Sequence, residues 1–363
     1  MIDIFRRLLP RRSLDVLFYA SSWIDELWVR TTIAACRAKG MRVGLAFGSE
    51  NALPSEVLRD YERLGVAVST KQGVDDLRRG KGHLVVTASS SVLREWFHPA
   101  VAYLIHMPHS LSSLHMIYTE DCFDGYDILF AAGPHHMREF DALSKARNIV
   151  GRRALAVGYG KLDLLRDKAA ALPLQAEAHA SPHVLLAPSW GPGNILHSLG
   201  LELVFMLLEQ GYRVTMRPHP SFFLDKEPVV DAIVNACADK PAFTLENATG
   251  LGQAMFTADL LISDYSGSAL EFVALRGKPV IFIDVPKKIV NPDWESLGLA
   301  PVELDIRTRL GKLVPASAHA VCEAVRDGMS LASTEELVAD FCYCEHRCGE
   351  SAAGHLLSFL EEL

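Results

Sequence analysis

The chain has 363 residues and a formal net charge of −8; 49% of it is hydrophobic and 22% charged. That length exceeds one ordinary core and suits two domains. The acidic balance argues against a general nucleic-acid binder, which carries a basic stripe, and no apolar run approaches the ~20 residues that span a bilayer.

The first twelve residues place Arg6, Arg7, Arg11 and Arg12 beside Ile4, Phe5, Leu8 and Leu9, without a long apolar core or a small-residue cleavage site. A secretory signal peptide is not expected. The segment reads equally as a solvated tail or as a patch that rests on an anionic membrane surface. The expectation is a cytoplasmic protein, with peripheral contact at the inner face of the cell membrane left open. Short apolar runs then alternate with amphipathic stretches, the pattern of parallel strands joined by crossover helices. Strands are predicted over 14–19, 42–47, 66–69, 84–87, 101–105 and 128–131, and near 154–157. Helices are predicted over 24–38, 55–64 and 135–146, with Gly40 placed to end the first.

The alternation fades over 167–182, which ends in Ser181-Pro182 and reads as a linker. It restarts with strands over 183–187, 213–216, 260–263 and 279–283 and near 242–245. Helices are expected near 195–210 and 227–238, over 269–276, and finally near 351–360. The result is an α/β fold of two Rossmann-like, doubly wound domains facing a cleft. The first covers residues 1–166; the second covers 183–345, followed by a C-terminal helix in 346–363. In such sheets ligands lie outside the carboxyl ends of strands, so the loops that follow strands are where function is sought.

The seven cysteines read as reduced thiols. Cys342, Cys344, His346 and Cys348 fall close together, yet zinc sites gather their ligand pairs from two segments. The stretch is read as ordinary helix, and no metal is expected.

Three loops carry chemistry. In Ser263-Asp264-Tyr265-Ser266-Gly267-Ser268, a buried strand gives way to a helix. A helix start offers unpaired N–H groups and the positive end of the dipole to an anion. Gly267 lets backbone approach a phosphate, and Ser266 and Ser268 add hydroxyls. The competing reading is simple capping, with Ser268 as the cap. Glu271, one turn on, either accepts from a ribose or assists the cap. In Arg217-Pro218-His219-Pro220, the histidine sits on a stiff backbone after a strand. An imidazole there can hydrogen-bond a phosphate and Arg217 can clamp one; the alternative is a turn histidine satisfied by backbone. The third loop, His106-Met107-Pro108-His109-Ser110-Leu111-Ser112-Ser113-Leu114-His115, has spacings that fit no common zinc pattern. A histidine here suits a general base, because an imidazole titrates in the range useful for taking a proton from an attacking hydroxyl. His106 directly follows the strand and competes with His109 for that role. His135 and His136, after Gly133-Pro134, read as helix-start residues.

The stretch from Phe256 to Phe272 around Ser263-Asp264-Tyr265-Ser266-Gly267-Ser268, with Gly277-Lys278-Pro279-Val280-Ile281-Phe282 after it, resembles the CDP-glycerol glycerophosphotransferase family. Its members build teichoic-acid-type and capsule polymers on a GT-B fold. The resemblance implies that Ser263, Asp264, Ser266, Gly267, Ser268 and Glu271 belong to the segment that binds the donor's pyrophosphate and ribose. The family often has a second serine where this chain has Gly267. His219-Pro220 resembles the family's His-Pro motif. His109-Ser110 resembles the His-Gly step that supplies its proposed base, with Ser110 in place of glycine. Asp124-Gly125-Tyr126-Asp127 and its continuation to His136 match one branch of the family. Gly158-Tyr159-Gly160-Lys161-Leu162-Asp163 resembles a segment before the interdomain link. Leu185-Leu186-Ala187-Pro188-Ser189-Trp190 resembles a donor-facing turn in which Ser189 keeps a threonine's hydroxyl. The similarity runs from about Val101 to Phe282.

The expectation is an enzyme that transfers glycerol phosphate, or a related polyol phosphate, from a CDP-activated donor to a polymer or lipid-linked acceptor. His109 and His219 are its catalytic histidines, and no cofactor beyond the CDP-polyol donor is required. Two alternatives share the fold: a glycosyltransferase or epimerase that uses a UDP-sugar, and a nucleotide-binding protein without turnover.

Overall fold

A computed structural model describes residues 14–48, 53–69, 82–90, 92–171, 181–247, 250–329, 333–343 and 347–363. The arginine-rich first residues, and Cys344 and His346 of the cysteine cluster, lie outside them. The chain divides into two compact units. One comprises Met1–Leu164, Asp293–Leu299 and Cys342–Leu363; the other comprises Leu165–Pro292 and Ala300–Phe341.

The first unit is built on seven strands: β1 (Leu14–Ala20), β2 (Val43–Phe47), β3 (Ala67–Ser69), β4 (Gly82–Thr87), β5 (Tyr103–His106), β6 (Ile128–Ala131) and β7 (Arg153–Ala156). They pair in the order β3-β2-β1-β4-β5-β6-β7, and every pairing is parallel. The central strands are apolar on both faces; Val16, Leu17 and Phe18 of β1 and Leu84, Val85 and Val86 of β4 are all fully buried. This is the continuous apolar run that a sheet covered on two sides demands. The strand order turns back between β1 and β4, which makes that gap the topological switch point.

Helices α1 (Glu26–Ala38), α2 (Ser55–Arg63), α3 (Pro134–Ala146) and α4 (Gly160–Ala171) follow their strands. Helix α4 runs five residues into the expected linker. A further helix, Cys348–Glu362, closes the chain and packs on α1. Its first two N–H groups are capped by Asp163, at 3.2 Å from Cys348 and 2.9 Å from Gly349. Gly349 lets the two helices touch: a Cβ there would fall 2.7 Å from the Thr31 carbonyl carbon and oxygen. The helix starts three residues earlier than its hydrophobic pattern suggests, because the cap comes from a residue remote in sequence.

The second unit holds β8 (His183–Leu186), β9 (Arg213–Met216), β10 (Phe243–Leu245), β11 (Leu260–Ser263), β12 (Val280–Asp284) and β13 (Gly311–Pro315). The order is β10-β9-β8-β11-β12-β13, again parallel throughout. Its switch point lies between β8 and β11. Helices α5 (Gly200–Glu209), α6 (Pro228–Ala236), α7 (Gly267–Arg276) and α8 (Ala318–Gly328) cover the sheet, and the closing helix Cys348–Glu362 is α9. Leu203, Leu207, Ile233, Val321 and Val325 pack in one core with Val184, Val214 and Ile262 of the strands.

Two features depart from the expected pattern. The helix near 195–210 is interrupted at Leu199, leaving one turn (Ile195–Ser198) ahead of α5. Strand β13 was not anticipated: it is a half-exposed edge strand that mixes Gly311 and Lys312 with Leu313 and Val314, so its apolar signal is thin. Contact with β12 fixes it, and a Cβ on Gly311 would lie 1.7 Å from the Val280 carbonyl oxygen.

Substituting Gly349→Ala forces α1 and α9 apart and is expected to cost about 1–3 kcal/mol. Urea unfolding of the full chain measures it, and an unchanged midpoint contradicts the close approach.

Candidate functional site

In the second unit the expected residues gather at the switch point. Asp264 follows β11 and is 1% exposed. Its Oδ1 accepts the N–H of Ser189 and of Tyr265, both at 2.7 Å, and its Oδ2 accepts the N–H of Ile195 at 3.2 Å. One carboxylate thus ties the loop after β8 to the loop after β11. Burial raises the Asp264 carboxyl above its ordinary value, while the hydrogen bonds from Ser189, Ile195 and Tyr265 oppose that rise. Ser263 is fully buried and donates to the Ala187 carbonyl at 2.7 Å, which adds a second tie between the same loops. Both residues, like the backbone of Ser189, brace the site.

Beyond the brace, Ser266, Gly267 and Ser268 are half-buried at the start of α7. Ser266 is the N-cap, its hydroxyl accepting from the Ser268 N–H at 3.3 Å. The cap therefore falls on Ser266 and not on Ser268. The helix start and its partial positive charge face the ends of the strands, where an anion is favoured. Glu271 lies one turn on and is buried.

His219 and Arg217 follow β9. His219 Nδ1 accepts the Ser221 N–H at 3.2 Å, so that nitrogen carries no proton and the ring's N–H is on Nε2. Ser221 Oγ lies 2.9 Å from the same Nδ1. Arg217 is 4% exposed. Its Nη1 donates to Glu246 at 2.9 Å and its Nη2 to the Gly250 carbonyl at 2.6 Å. Glu246 also caps the turn Ala254–Thr257 through Gln253 N–H and Ala254 N–H. Gly252, at φ +63°, leaves the guanidinium its room, for a Cβ there would sit 1.9 Å from Nη1. The phosphate clamp expected of Arg217 is, in this structure, a buried ion pair that organises the loop after β10.

In the first unit an equivalent brace spans β1 and β4. Asp25 Oδ2 accepts from the Ser21 hydroxyl at 2.5 Å, the Ser22 N–H at 3.2 Å and the Ser89 hydroxyl at 2.9 Å. His109 is pinned to the same strand end. Its Nδ1 lies 2.8 Å from the Ala88 carbonyl oxygen. A carbonyl only accepts, so Nδ1 carries the proton and Nε2 presents its lone pair. The Tyr118 hydroxyl donates to that lone pair at 3.2 Å. Trp28 and Tyr118 hold the ring edge-on at 5.7 and 5.8 Å. Tyr159 donates to the His109 carbonyl at 3.0 Å and accepts from the Trp28 indole at 2.7 Å.

His106, the rival, is fully buried against Phe123 and Tyr126 at 5.1 and 4.9 Å. Burial drives its ring well toward the neutral form, and its place in the aromatic core closes it to a substrate hydroxyl.

The loop that carries His109 is gripped from below by α3. His135 Nε2 donates to the Leu111 carbonyl at 2.9 Å and His136 Nε2 to the Ser112 carbonyl at 2.8 Å. Glu139 accepts the Leu114 N–H at 2.5 Å. These are helix-start residues, as expected, with the added task of fixing the loop. Among the described residues no group of histidine, cysteine and acidic side chains is placed to hold a metal ion.

Composition and motifs did not single out Asp25, Ser89 or Lys288, although all three lie just beyond strands, the rule that found the other residues. Tyr118 enters only as part of Met116-Ile117-Tyr118, a stretch that resembles one branch of the family, without a role of its own.

Both sheets and their order define a GT-B-like α/β fold. A UDP-GlcNAc 2-epimerase of Methanocaldococcus jannaschii, solved with UDP-GlcNAc and UDP, superposes with a TM-score of 0.62 at 12% identity, covering 95% of this chain and 99% of that one. The Neisseria meningitidis UDP-GlcNAc 2-epimerase bound to UDP-GlcNAc gives 0.61 at 13%, covering 96% and 100%. HepE of Anabaena, in complex with UDP and glucose, gives 0.52 at 12%, covering 96% and 100%. At such identities the likeness is one of fold. No curated protein matches the sequence. The family model for CDP-glycerol:poly(glycerophosphate) glycerophosphotransferases matches residues 107–288, half of the chain, and the chain belongs to that family.

The α3 histidines give the first unit an acid limit. Burial holds His136 down at about 4, whereas an unfolded imidazole titrates near 6.5. Between those values the unfolded chain binds more protons, so stability falls as pH drops through that window. His136 alone is expected to cost about 2 kcal/mol between pH 7 and pH 5. Urea unfolding at the two pH values, with and without His136→Gln, measures it; an identical pH slope in the variant contradicts the assignment.

Proposed function

We propose that the protein transfers glycerol phosphate, or a related polyol phosphate, from a CDP-activated donor to a hydroxyl of a cell-surface polymer or lipid-linked acceptor, releasing CMP. The family assignment supports the donor class. The observation that carries the mechanism is the pair of histidine tautomers, opposite in sense. His109 has its acceptor lone pair on Nε2, where the Tyr118 hydroxyl now donates and the acceptor hydroxyl would take its place, and His219 has an Nε2–H; backbone sets both tautomers.

In this reading the second unit binds the nucleotide. The start of α7, with Ser266, Gly267 and Ser268, takes the diphosphate, and Glu271 serves the ribose. Asp264, Ser263 and Ser189 keep the two loops in register, and Arg217 holds the neighbouring loop through Glu246. His109 Nε2 removes the proton of the acceptor hydroxyl. The oxygen attacks the β-phosphorus, the bond from that phosphorus to the bridging oxygen breaks, and CMP departs with the electron pair. His219 donates its Nε2–H to phosphate oxygens as their charge grows. Most of the rate gain in such transfers comes from positioning and charge stabilisation. The backbone bonds to both rings supply that, because neither imidazole has to choose its tautomer during turnover.

The reaction belongs to the cytoplasmic side of the membrane, where activated nucleotides are made, and the arginine-rich N-terminal segment is proposed to bring the enzyme to the lipid surface. None of the described helices is long and apolar enough to cross a membrane.

Purified protein, CDP-glycerol and a glycerol-phosphate-primed acceptor are expected to yield CMP. His109→Ala lowers kcat by about 10²–10⁴-fold and leaves the donor Kd within about twofold, since the base contacts the acceptor. Full turnover by that variant contradicts the base assignment. Thermal stabilisation by UDP-sugars alone, with none by CDP-glycerol, contradicts the donor class.

A further inference from the structure

The strand ends of the second unit need a cation. A diphosphate brings two or more negative charges, yet helix ends and serine hydroxyls neutralise only part of such a charge. Arg217 is bound to Glu246 and the Gly250 carbonyl. Arg307 is 6% exposed, stacks on the Tyr265 ring at 4.2 Å and donates to its hydroxyl at 2.9 Å, with Asp284 at 3.8 Å. Both guanidiniums already have fixed partners.

Lys288 differs. It lies in the segment after β12, half-buried, with its ammonium 3.8 Å over the ring of Trp190. Among the described residues no carboxylate comes within ion-pair distance of it, although Asp264 and Glu303 are near enough to stabilise its charge. Burial pulls the ammonium down to about 8 against that help. A half-buried ammonium resting on an aromatic face, with no carboxylate among the described residues at ion-pair distance, has its donors available to a bound anion.

Its perch is built into the brace described above. Trp190 follows Ser189, whose N–H is bound by Asp264. Gly193 of the same loop packs against Pro286, where a Cβ would lie 3.5 Å from the proline Cβ. The loops after β8, β11 and β12 are therefore one assembly, with Lys288 at its edge. Trp190 is 39% exposed and lies 6.3 Å from the His219 ring, which sets the ammonium on the same side of the sheet as the proposed phosphate ligand.

We propose that Lys288 is the cation that receives the β-phosphate of a nucleoside diphosphate, leaving the Trp190 ring as the ligand binds. The inference rests on the reading that the second unit binds a CDP-activated donor, and it deepens that reading by naming the residue that separates a diphosphate from a monophosphate. A lysine suits the task because its stem lets the charge travel from ring to phosphate, which a guanidinium locked in an ion pair cannot do.

Calorimetric titration of the full chain with CDP and with CMP tests it. In Lys288→Met, CDP is expected to bind about ten- to a hundredfold more weakly, with CMP affinity changed by less than about threefold. Lys288→Arg is expected to recover part of the CDP affinity. The CMP titration shows that each variant is folded. In the wild type, CDP changes the tryptophan fluorescence, and Trp190→Phe removes that change. Equal losses for CDP and CMP in Lys288→Met, or no loss for either, overturn the assignment while leaving the donor reading intact. A wild type that binds neither nucleotide overturns both.

Discussion

The second unit depends on one buried carboxylate. Asp264 sits where the strand order turns back and receives N–H groups from Ser189, Ile195 and Tyr265. Each of these would otherwise be a backbone donor in a connecting loop or at a helix start with no regular partner. By collecting all three, the side chain fixes the loops after β8 and β11 relative to each other, and so fixes the start of α7. Desolvating a carboxylate is costly, and the rise in its protonation tendency shows that cost. The gain is a set of loops tied together around a helix start, the kind of backbone that favours an anion.

Asp25 does the same in the first unit, across β1 and β4. The likeness follows from the topology. A doubly wound sheet always parts its connections at the switch point, and the gap leaves backbone groups that a short acidic side chain can bridge. His109 hangs from this gap through the Ala88 carbonyl, and α3 secures the following residues. What looks like a loop rich in histidines is thus layered: His135 and His136 hold backbone, His106 fills core, and His109 presents a lone pair.

Much of the fold was legible. Apolar runs of four to six residues bounded by turns identify every described strand except β13, whose Gly311 and Lys312 weaken the pattern and whose position comes from packing on β12. The rule that ligands lie beyond strand ends led to Ser263, Asp264, Ser266, His219 and His109. Partners were not legible, because they depend on which strand ends become neighbours. Nothing local tells that Asp264 turns inward to bind backbone, that Ser266 rather than Ser268 caps α7, or that Arg217 pairs with Glu246, 29 residues on. The choice between His106 and His109 is of the same kind: His106 proves to be the last residue of β5, packed among Phe123 and Tyr126, and His109 lies in the loop beyond it. Trp190 and Lys288, nearly a hundred positions apart, meet only through the order β8-β11-β12.

In the proposed function the rim organised by Asp264 holds the donor's diphosphate at the start of α7. A crystal structure of the chain with CDP-glycerol tests it most directly. Diphosphate oxygens are expected about 3 Å from the Gly267 N–H and the Ser268 hydroxyl, with the Asp264 bonds unchanged. A donor bound elsewhere, with α7 bare of phosphate, would contradict it.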